Sequence, residues 1–191
     1  MVGMLRGLMA DRSAPQATPR DQLTPELAAH AGTPLQIATF PGRDGTQVLF
    51  SPETRGRGAL SWRSPSGEGI VTEGGLLLAT RGLGGDLMIA DLSDVPAALA
   101  GRTRQAERVH RYLDGENHLV ARAYVCDYTR AADQTEAYFR SIPATRVTET
   151  CSGLNDGFEN RYWIDGAGRI VRSVEWVSAA VGHVEREQLA D

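Results

Sequence analysis

The segment from Phe158 to Val177 constrains the fold most strongly, because two runs rich in aromatic and β-branched residues flank a compact turn sequence. The turn, Asp165-Gly166-Ala167-Gly168, predicts a β-hairpin in which Gly168 supplies the positive φ of a type I turn followed by a bulge. In that register Ile164 faces Ile170 across the two strands. The segment therefore predicts an antiparallel β-sheet.

The same register places an apolar set on one face of the hairpin. Its members are Phe158, Tyr162, Ile164, Ile170, Val174 and Trp176. A shift of one residue would scatter this set over both faces, so the pattern supports the register. Arg172 lies on the apolar face, where we expect it either to pair with an acid such as Asp86 or to point into a cavity. We expect Trp176 to be buried and Trp163 to lie on the opposite face near the turn.

Short β-like runs fill much of the remaining chain. Five of them lie between residues 34 and 82, separated by turn sequences rich in Gly and Pro, and they predict an antiparallel meander. Asp114-Gly115 predicts a second hairpin, and the last run, residues 181–189, is typical of an edge strand. Thr24-Pro25-Glu26 predicts the start of a short helix, and residues 88–99 carry a second helical pattern.

We therefore predict about ten strands and two or three short helices. The fold class is mainly β: a single domain built on an antiparallel, curved or half-closed sheet that resembles a barrel. A chain of 191 residues suits one domain of this kind. Its 24 acidic residues outnumber the 20 basic residues, all of which are arginine, and the pI of about 5.6 argues against a nucleic-acid partner.

The sequence predicts no metal, cofactor or catalytic site. The four histidines lie in different segments without zinc-ligand spacing, and there is no GxSxG motif. Three acids near the first hairpin, Glu159, Asp165 and Glu175, could serve glycoside cleavage, although solvated strand and turn acids are the simpler interpretation. Cys126 and Cys151 fit either one disulfide, which the even pair favours, or two small buried thiols.

Four blocks of sequence together resemble one family. They are Trp62-Arg63-Ser64, the run from Leu78 to Leu87, the run from Asn160 to Asp165, and Ile170-Val171-Arg172-Ser173 followed by Trp176. In this order and spacing they resemble the YjbF/GfcB family of capsule and exopolysaccharide lipoproteins, over about Leu23 to Leu189. The resemblance implies a β-rich domain, export, and attachment to the periplasmic side of the outer membrane through a lipidated cysteine. It implies no enzymatic activity and no cofactor.

The resemblance leads to a functional hypothesis. We expect a non-enzymatic accessory lipoprotein of capsule or exopolysaccharide assembly or export, which binds polysaccharide or polysaccharide-export proteins. The alternatives are a carrier of a lipid or lipid-linked sugar in an apolar cavity, and a polysaccharide hydrolase or modifying enzyme. An oxidising periplasm also favours the disulfide between Cys126 and Cys151.

The candidate binding residues combine aromatic side chains, which could stack on sugar rings, with polar positions that match the family. They are Trp62, Arg81, Asn160, Arg161, Trp163 and Arg172. Trp176 and Tyr162 are further aromatic candidates, although we expect core packing to bury Trp176.

The chain carries no N-terminal lipidation cysteine, so we expect that a signal and a lipid anchor have been removed from it. Residues 1–20 are then expected to be a flexible segment, and residues 21–191 to form the family-like β domain. At the membrane, the expected partner is the inner leaflet of the outer membrane, reached through that lipid. A homodimer is also compatible with the sequence.

Overall fold

A computed structural model of the chain describes residues 18–56 and 58–190. The predicted flexible segment falls mainly on residues 1–17, which lie outside the described residues. The described helices are α1 (Pro19–Gln22), α2 (Pro25–His30) and α3 (Val95–Leu99), with a 3-10 turn at Pro41–Arg43. The strands are β1 (Leu35–Phe40), β2 (Thr46–Gly56), β3 (Ala59–Arg63), β4 (Gly69–Glu73), β5 (Leu76–Arg81), β6 (Ile89–Asp91), β7 (Gln105–Leu113), β8 (Leu119–Ala137), β9 (Arg140–Ser152), β10 (Gly157–Ile164), β11 (Ile170–Ser178) and β12 (Gly182–Ala190).

The twelve strands form one antiparallel sheet in the order β5-β4-β3-β2-β1-β12-β11-β10-β9-β8-β7-β6. Because β1 pairs with β12, this order follows the chain around a ring, and the sheet curls into a nearly closed barrel. The remaining gap lies between β5 and β6. The predicted fold class, a mainly β antiparallel sheet that is curved or half-closed and carries short helices, is confirmed.

Local chemistry explains the helix start and the hairpin turns. The side-chain oxygen of Thr24 caps α2 by accepting a first-turn N–H at 3.3 Å. In the β10–β11 turn the N–H of Asp165 donates to the carbonyl of Arg169 at 3.0 Å, and Gly168 has a φ of +81°. The β7–β8 turn repeats this arrangement with Asn117 at a φ of +64°. The predicted helix start and both predicted hairpins are confirmed.

The register of the β10–β11 hairpin differs from the prediction by one residue. Ile164 faces Ile170 as expected, but Trp163 faces Arg172, so Val171 is an extra residue in β11. This β-bulge reverses the side-chain direction along the rest of β11 relative to β10. The predicted apolar face is therefore wrong along β11.

The buried residues show the effect of the bulge. On β10, Phe158 and Tyr162 are buried as predicted. On β11 the buried residues are Val171, Ser173, Glu175, Val177 and Ser178. Val174 and Trp176, which were predicted to be buried, are half-buried, and Trp163 is half-buried as well.

Two other elements differ from the predictions. Residues 89–91 form strand β6, whereas a helical pattern was assigned from residue 88, and the helix α3 begins only at Val95. The last strand, β12, pairs with both β11 and β1 and is therefore not an edge strand. This pairing could not be read locally, because it joins the two ends of the chain.

Side chains fill the inside of the barrel. The largest of its fully buried apolar side chains include Phe40, Phe50, Ile70, Leu77, Leu83 and Leu87. A smaller cluster on the outer surface packs α2 against β1 and β12, and its buried members are Ala28, Leu35, Ile37 and Leu189. The helices at the start of the described chain therefore lie on the β1–β12 side of the barrel.

Candidate functional site

The motif from Leu78 to Leu87 closes the gap between β5 and β6. The N–H of Thr80 donates to the carbonyl of Leu87 at 2.8 Å, and the N–H of Leu87 donates to the hydroxyl of Thr80 at 3.0 Å. The side chains of Leu83 and Leu87 are buried at this end of the barrel. Residues 82–88, which we call the closure loop, therefore complete the barrel wall without a strand pairing.

Asp86 holds the closure loop in shape. Its carboxylate accepts from the hydroxyl of Thr80 and from the N–H groups of Gly82 and Leu83, at 2.9 to 3.0 Å. Gly85 lies against the β11–β12 turn, where a Cβ would approach the Cβ of Ala180 to 2.6 Å. Gly85 of the glycine-rich family motif thus allows the closure loop to pack closely against the β11–β12 turn.

A polar network occupies the inside of the barrel around the carboxylate of Glu149. Its donors are Arg108 Nη1 at 2.6 Å, Asn160 Nδ2 at 2.7 Å, the hydroxyl of Tyr162 at 2.7 Å, and the hydroxyl of Tyr128. Burial raises the pKa of Tyr162 and, together with the Glu149 charge, that of Tyr128. Both hydroxyls therefore stay protonated, and the network compensates the buried Glu149 charge.

A second buried ion pair, between Arg186 and Glu175, braces the barrel from β11 and β12 to β5. Glu175 also accepts the N–H of Leu77 at 2.9 Å, and Arg186 donates to the carbonyl of Gly75 at 2.6 Å. Glu175, which was interpreted as a solvated acid, is instead fully buried. The pair is possible because the bulge turns Glu175 inward.

Three of the predicted binding residues have separate structural surroundings. Trp62 is buried, and its indole N–H donates to the hydroxyl of Thr72 at 3.0 Å. Asn160 belongs to the polar network, and its side-chain carbonyl accepts the N–H of Trp176 at 2.7 Å. Arg81 is exposed at the end of β5.

The other three, Arg161, Trp163 and Arg172, lie on the outer surface of β10 and β11. Arg172 pairs with Glu185 and lies with its guanidinium carbon 5.5 Å from the ring centroid of Trp163. The expectation that Arg172 pairs with an acid is confirmed, but the acid is Glu185 and not Asp86. The pair lies on the outer surface, so the predicted position of Arg172 on the apolar face is wrong. The six residues do not converge on one surface, and their role in binding stays a prediction.

An open cavity of about 370 Å³ lies at the end of the barrel beside the closure loop. It lies between the closure loop, the β7–β8 hairpin and the end of β11. Its lining includes Asp86, Tyr112, Leu113, Arg122, Tyr124 and Trp176. We call this cavity the aromatic mouth, because three aromatic side chains from three strands meet there.

A stack of aromatic rings next to the aromatic mouth supports its lining residues. The ring of His110 stacks on Phe158 at 5.2 Å, and Phe158 stacks on Trp176 at 6.2 Å. His110 Nδ1 lies 3.0 Å from the hydroxyl of Tyr112. Burial, followed by the charge of Arg108, lowers the pKa of His110 to about 3, so the ring is neutral. The stack fixes the positions of Trp176 and Tyr112.

Charged groups lie at the rim of the aromatic mouth. Arg122 and Asp156 form an ion pair, and the guanidinium carbon of Arg122 lies 5.9 Å from the ring centroid of Tyr112. The hydroxyl of Tyr124 lies 3.4 Å from the Asp156 carboxylate. Flat apolar rings beside hydrogen-bonding groups can bind a ligand that has an apolar face and a polar edge.

Sequence reasoning missed Tyr112, Arg122 and Tyr124 as site residues. A signal was present, because the Asp114-Gly115 hairpin places these even-numbered positions on one face of two paired strands. Trp176 was named as an aromatic candidate. It meets the other rings only because the barrel closes through pairings between distant parts of the chain.

A larger cleft of about 630 Å³ lies at the opposite end of the barrel. It lies between α3, the β4–β5 turn and the β10–β11 turn. Its apolar lining includes Leu76, Leu92, Leu99, Ile164 and Ile170, and its polar lining includes Glu73 and Arg130. The two openings therefore differ in character, since among the described lining residues aromatic rings occur only at the smaller one.

Cys126 and Cys151 form a disulfide between directly paired residues of β8 and β9, with their Cα atoms 4.0 Å apart. The predicted disulfide is confirmed. Glu149 lies close to both sulfur atoms. Its oxygens accept the hydrogen bonds of the polar network, and the sulfur atoms are bonded to each other, so this cluster offers no free set of metal ligands.

The fold and the site together define an antiparallel, nearly closed β-barrel with buried ion pairs and an aromatic mouth at one end. The chain belongs to the YjbF family, described as Group 4 capsule polysaccharide lipoprotein gfcB, YjbF, whose family model matches residues 12–189. The resemblance seen in the sequence is confirmed. Among curated proteins, no sequence matches this chain.

A solved structure, that of the hypothetical lipoprotein YmcC from Escherichia coli K12, has the same fold. The two chains superpose with a TM-score of 0.75 at 16% identity, over 90% of this chain and 91% of that chain. The family is one of capsule polysaccharide lipoproteins, which implies a membrane-associated location in the cell envelope. Within the described ranges, no helix is long and apolar enough to cross a membrane.

Proposed function

We propose that the protein is a non-enzymatic accessory lipoprotein of capsule or exopolysaccharide assembly or export, and that it binds polysaccharide at the aromatic mouth. The observation that carries the proposal is the convergence of Tyr112, Tyr124 and Trp176 in one open cavity. A sugar ring has an apolar face that can stack on such rings and hydroxyl groups that can bond to the Arg122 and Asp156 rim. The proposed location is the periplasmic side of the outer membrane.

The filled interior supports binding at the barrel end over transport through the barrel. Large side chains and two buried ion pairs occupy the space that a ligand would need. A sugar bound at the mouth would contact side chains that the ring stack and the closure loop already hold in place. Binding would therefore cost less side-chain conformational entropy.

Docking to a polysaccharide-export protein is a second hypothesis for the same accessory role. Arg81 and Arg161 are exposed and could contact an acidic partner surface, although Arg161 also forms an ion pair with Glu159 at 3.7 Å. Arg161 lies on the outer surface of β10, outside the lining of the aromatic mouth, so docking at Arg161 would leave the mouth free to hold the polymer.

The larger cleft supports one alternative function, a carrier for a lipid or lipid-linked sugar. Its Leu and Ile side chains could contact an acyl chain while Arg130 contacts a polar group. The enzyme alternative has less support, because the three candidate acids do not meet. Glu175 is buried in an ion pair, Glu159 is exposed on β10, and Asp165 holds the β10–β11 turn.

Purification of the full chain from its native envelope tests the proposal. We expect the purified protein to carry envelope polysaccharide, which sugar analysis would detect, and replacement of Trp176 by alanine should remove that sugar. Recovery of export proteins without sugar would favour docking, and recovery of lipid would favour the carrier. Recovery of the protein with none of these partners would contradict the proposed role.

A further inference from the structure

The outer surface of β6, β7 and β8 is apolar and exposed. Its outward-facing apolar residues are Ile89, Val109, Leu113, Leu119, Ala121, Ala123 and Val125. The exposed fraction is 44% for Ile89, 46% for Leu113, 59% for Leu119 and 46% for Val125. We call these seven residues the β6–β8 outer face. Exposed apolar side chains grouped on three neighbouring strands, here interrupted by Arg111 and Glu107 on β7, are typical of interaction sites.

The sequence of β8 explains why this surface exists. Its even-numbered residues Tyr124, Cys126 and Tyr128 point inward and are buried, yet its odd-numbered residues from Leu119 to Val125, on the opposite face, are apolar as well. A strand that is apolar on both faces is typically covered on both faces. In the part of the chain that the structure describes, no helix covers the outer face of β8.

Charges are arranged along β7 within the same surface. Arg111 lies among the apolar residues, between Ile89 on β6 and Ala121 on β8. Hydrogen bonds from Ser93 and, to a smaller extent, the charge of Arg111 lower the pKa of the nearby Asp91 carboxyl. Glu107 lies on the same side of β7, four residues away and opposite Val125. One strand thus presents a basic group and an acidic group on either side of Val109.

We propose that a second copy of this chain covers the β6–β8 outer face in a two-fold symmetric dimer. A two-fold axis through Val109 places β7 of one copy antiparallel over β7 of the other. Arg111 of each copy then lies over Glu107 of the second copy, so that the contact is complementary in charge on both sides. The small side chains of Ala121 and Ala123 allow the two sheets to pack at about 10 Å.

The acidic residues of this surface disfavour an anionic membrane as its occupant. They lie within the face or at its border, at Asp91, Glu107 and Asp127. Anionic headgroups would repel them.

The dimer would bring two aromatic mouths together. Leu113 belongs both to the β6–β8 outer face and to the lining of the aromatic mouth. The two mouths would therefore lie near the edges of one interface, and a polymer could occupy both at once, which raises its apparent affinity without a new contact. This consequence rests on the proposed function, whereas the dimer itself does not.

Sedimentation equilibrium of the full chain over a range of concentrations tests the dimer. We expect a dimer fraction that rises with concentration, and an increase of at least about tenfold in the dimer dissociation constant for Ala123→Glu, because like charges would face each other near the axis. Ala131→Glu is the matched control: it makes the same change at an exposed position further along β8, and the dissociation constant should not change. A wild-type chain that stays monomeric, or equal effects of the two variants, would overturn the proposal.

Charge reversal provides a second test that does not depend on Ala123→Glu folding. Arg111→Glu and Glu107→Arg should each weaken the dimer, and the double variant should recover most of the wild-type dissociation constant. A structural role within one chain predicts no such recovery, because the two residues are four positions apart on one strand. A double variant as weak as the single variants would overturn the symmetric contact. No polysaccharide is present, so these results are independent of glycan binding.

Discussion

Arg108 Nη1 lies 2.6 Å from Glu149 Oε2 inside the barrel, and the exposed fractions of the two side chains are only 2% and 0%. The pair joins β7 to β9 across the intervening strand β8. Two family positions, Asn160 and Tyr162, donate to the same carboxylate. The residues that carry the family resemblance therefore serve mainly to build the barrel, and the barrel places the aromatic mouth at its end.

Removal of one partner of this pair should be strongly destabilising. Glu149→Gln leaves the Arg108 charge buried without its counter-charge, and we expect the free energy of unfolding to fall by about 3 to 5 kcal/mol. Denaturant unfolding measures the change. Arg63→Met is the control, because the Arg63–Glu53 pair is about half exposed and should cost less than about 1 kcal/mol. Equal losses for the two variants would contradict the account.

His110 should make the barrel sensitive to acid. Its pKa in the fold is about 3, mainly because of burial and also because of Arg108, whereas the unfolded value is about 6.5. The folded ring therefore stays neutral while the unfolded ring binds a proton, so stability is complete above about pH 6.5 and falls as the pH drops towards 3.

The difference between wild type and His110→Phe isolates this effect. We expect the wild type to lose about 2 kcal/mol relative to His110→Phe between pH 7 and pH 5. His118→Phe, at an exposed position of the β7–β8 turn, should keep the wild-type slope. Parallel pH profiles for wild type and His110→Phe would show that the buried imidazole does not contribute.

The closure loop should open when Asp86 is replaced. Asp86→Ala removes the acceptor of three hydrogen bonds, and we expect a loss of about 2 kcal/mol together with faster hydrogen exchange at the Thr80 amide. Asp91→Ala, which removes two hydrogen bonds with Ser93 and a charge near Arg111, is the control outside the loop. Unchanged exchange at Thr80 in Asp86→Ala would contradict the closure role.

The disulfide can be tested by thiol labelling. The denatured but unreduced protein should react at neither cysteine, and the reduced protein should react at both. Replacement of Cys126 and Cys151 by alanine removes a cross-link that spans 25 residues of chain, and it should lower the free energy of unfolding by about 3 kcal/mol. Full labelling before reduction would refute the disulfide.

Local sequence chemistry predicted the elements better than their arrangement. The Asp-Gly turns and the Thr24 cap were readable because each depends on a few adjacent residues. The bulge at Val171 was not readable, because Ser173 and Glu175 are residues typical of a solvent-facing surface. Glu175 is buried through its ion pair with Arg186, which the local sequence does not reveal. The predicted face of β11 was reversed for that reason.

The candidate site was predicted less well than the fold. The aromatic mouth depends on the pairing of β1 with β12 and on the loop that joins β5 to β6, and neither leaves a local signal. Motif residues such as Asn160 and Trp62 were predicted to be binding residues because they match the family. Their buried hydrogen bonds give them a structural reason to be there.

The most direct test of the account is a tryptophan fluorescence titration with the host exopolysaccharide. We predict saturable quenching for wild type and loss of the response in Trp176→Phe. Trp163→Phe should still respond, because the Trp163 indole that it removes lies on the outer surface. Tyr112→Ala should weaken binding about tenfold, which corresponds to about 1.4 kcal/mol. Unchanged wild-type emission at millimolar sugar, or a response that survives in Trp176→Phe, would contradict polysaccharide binding at the aromatic mouth.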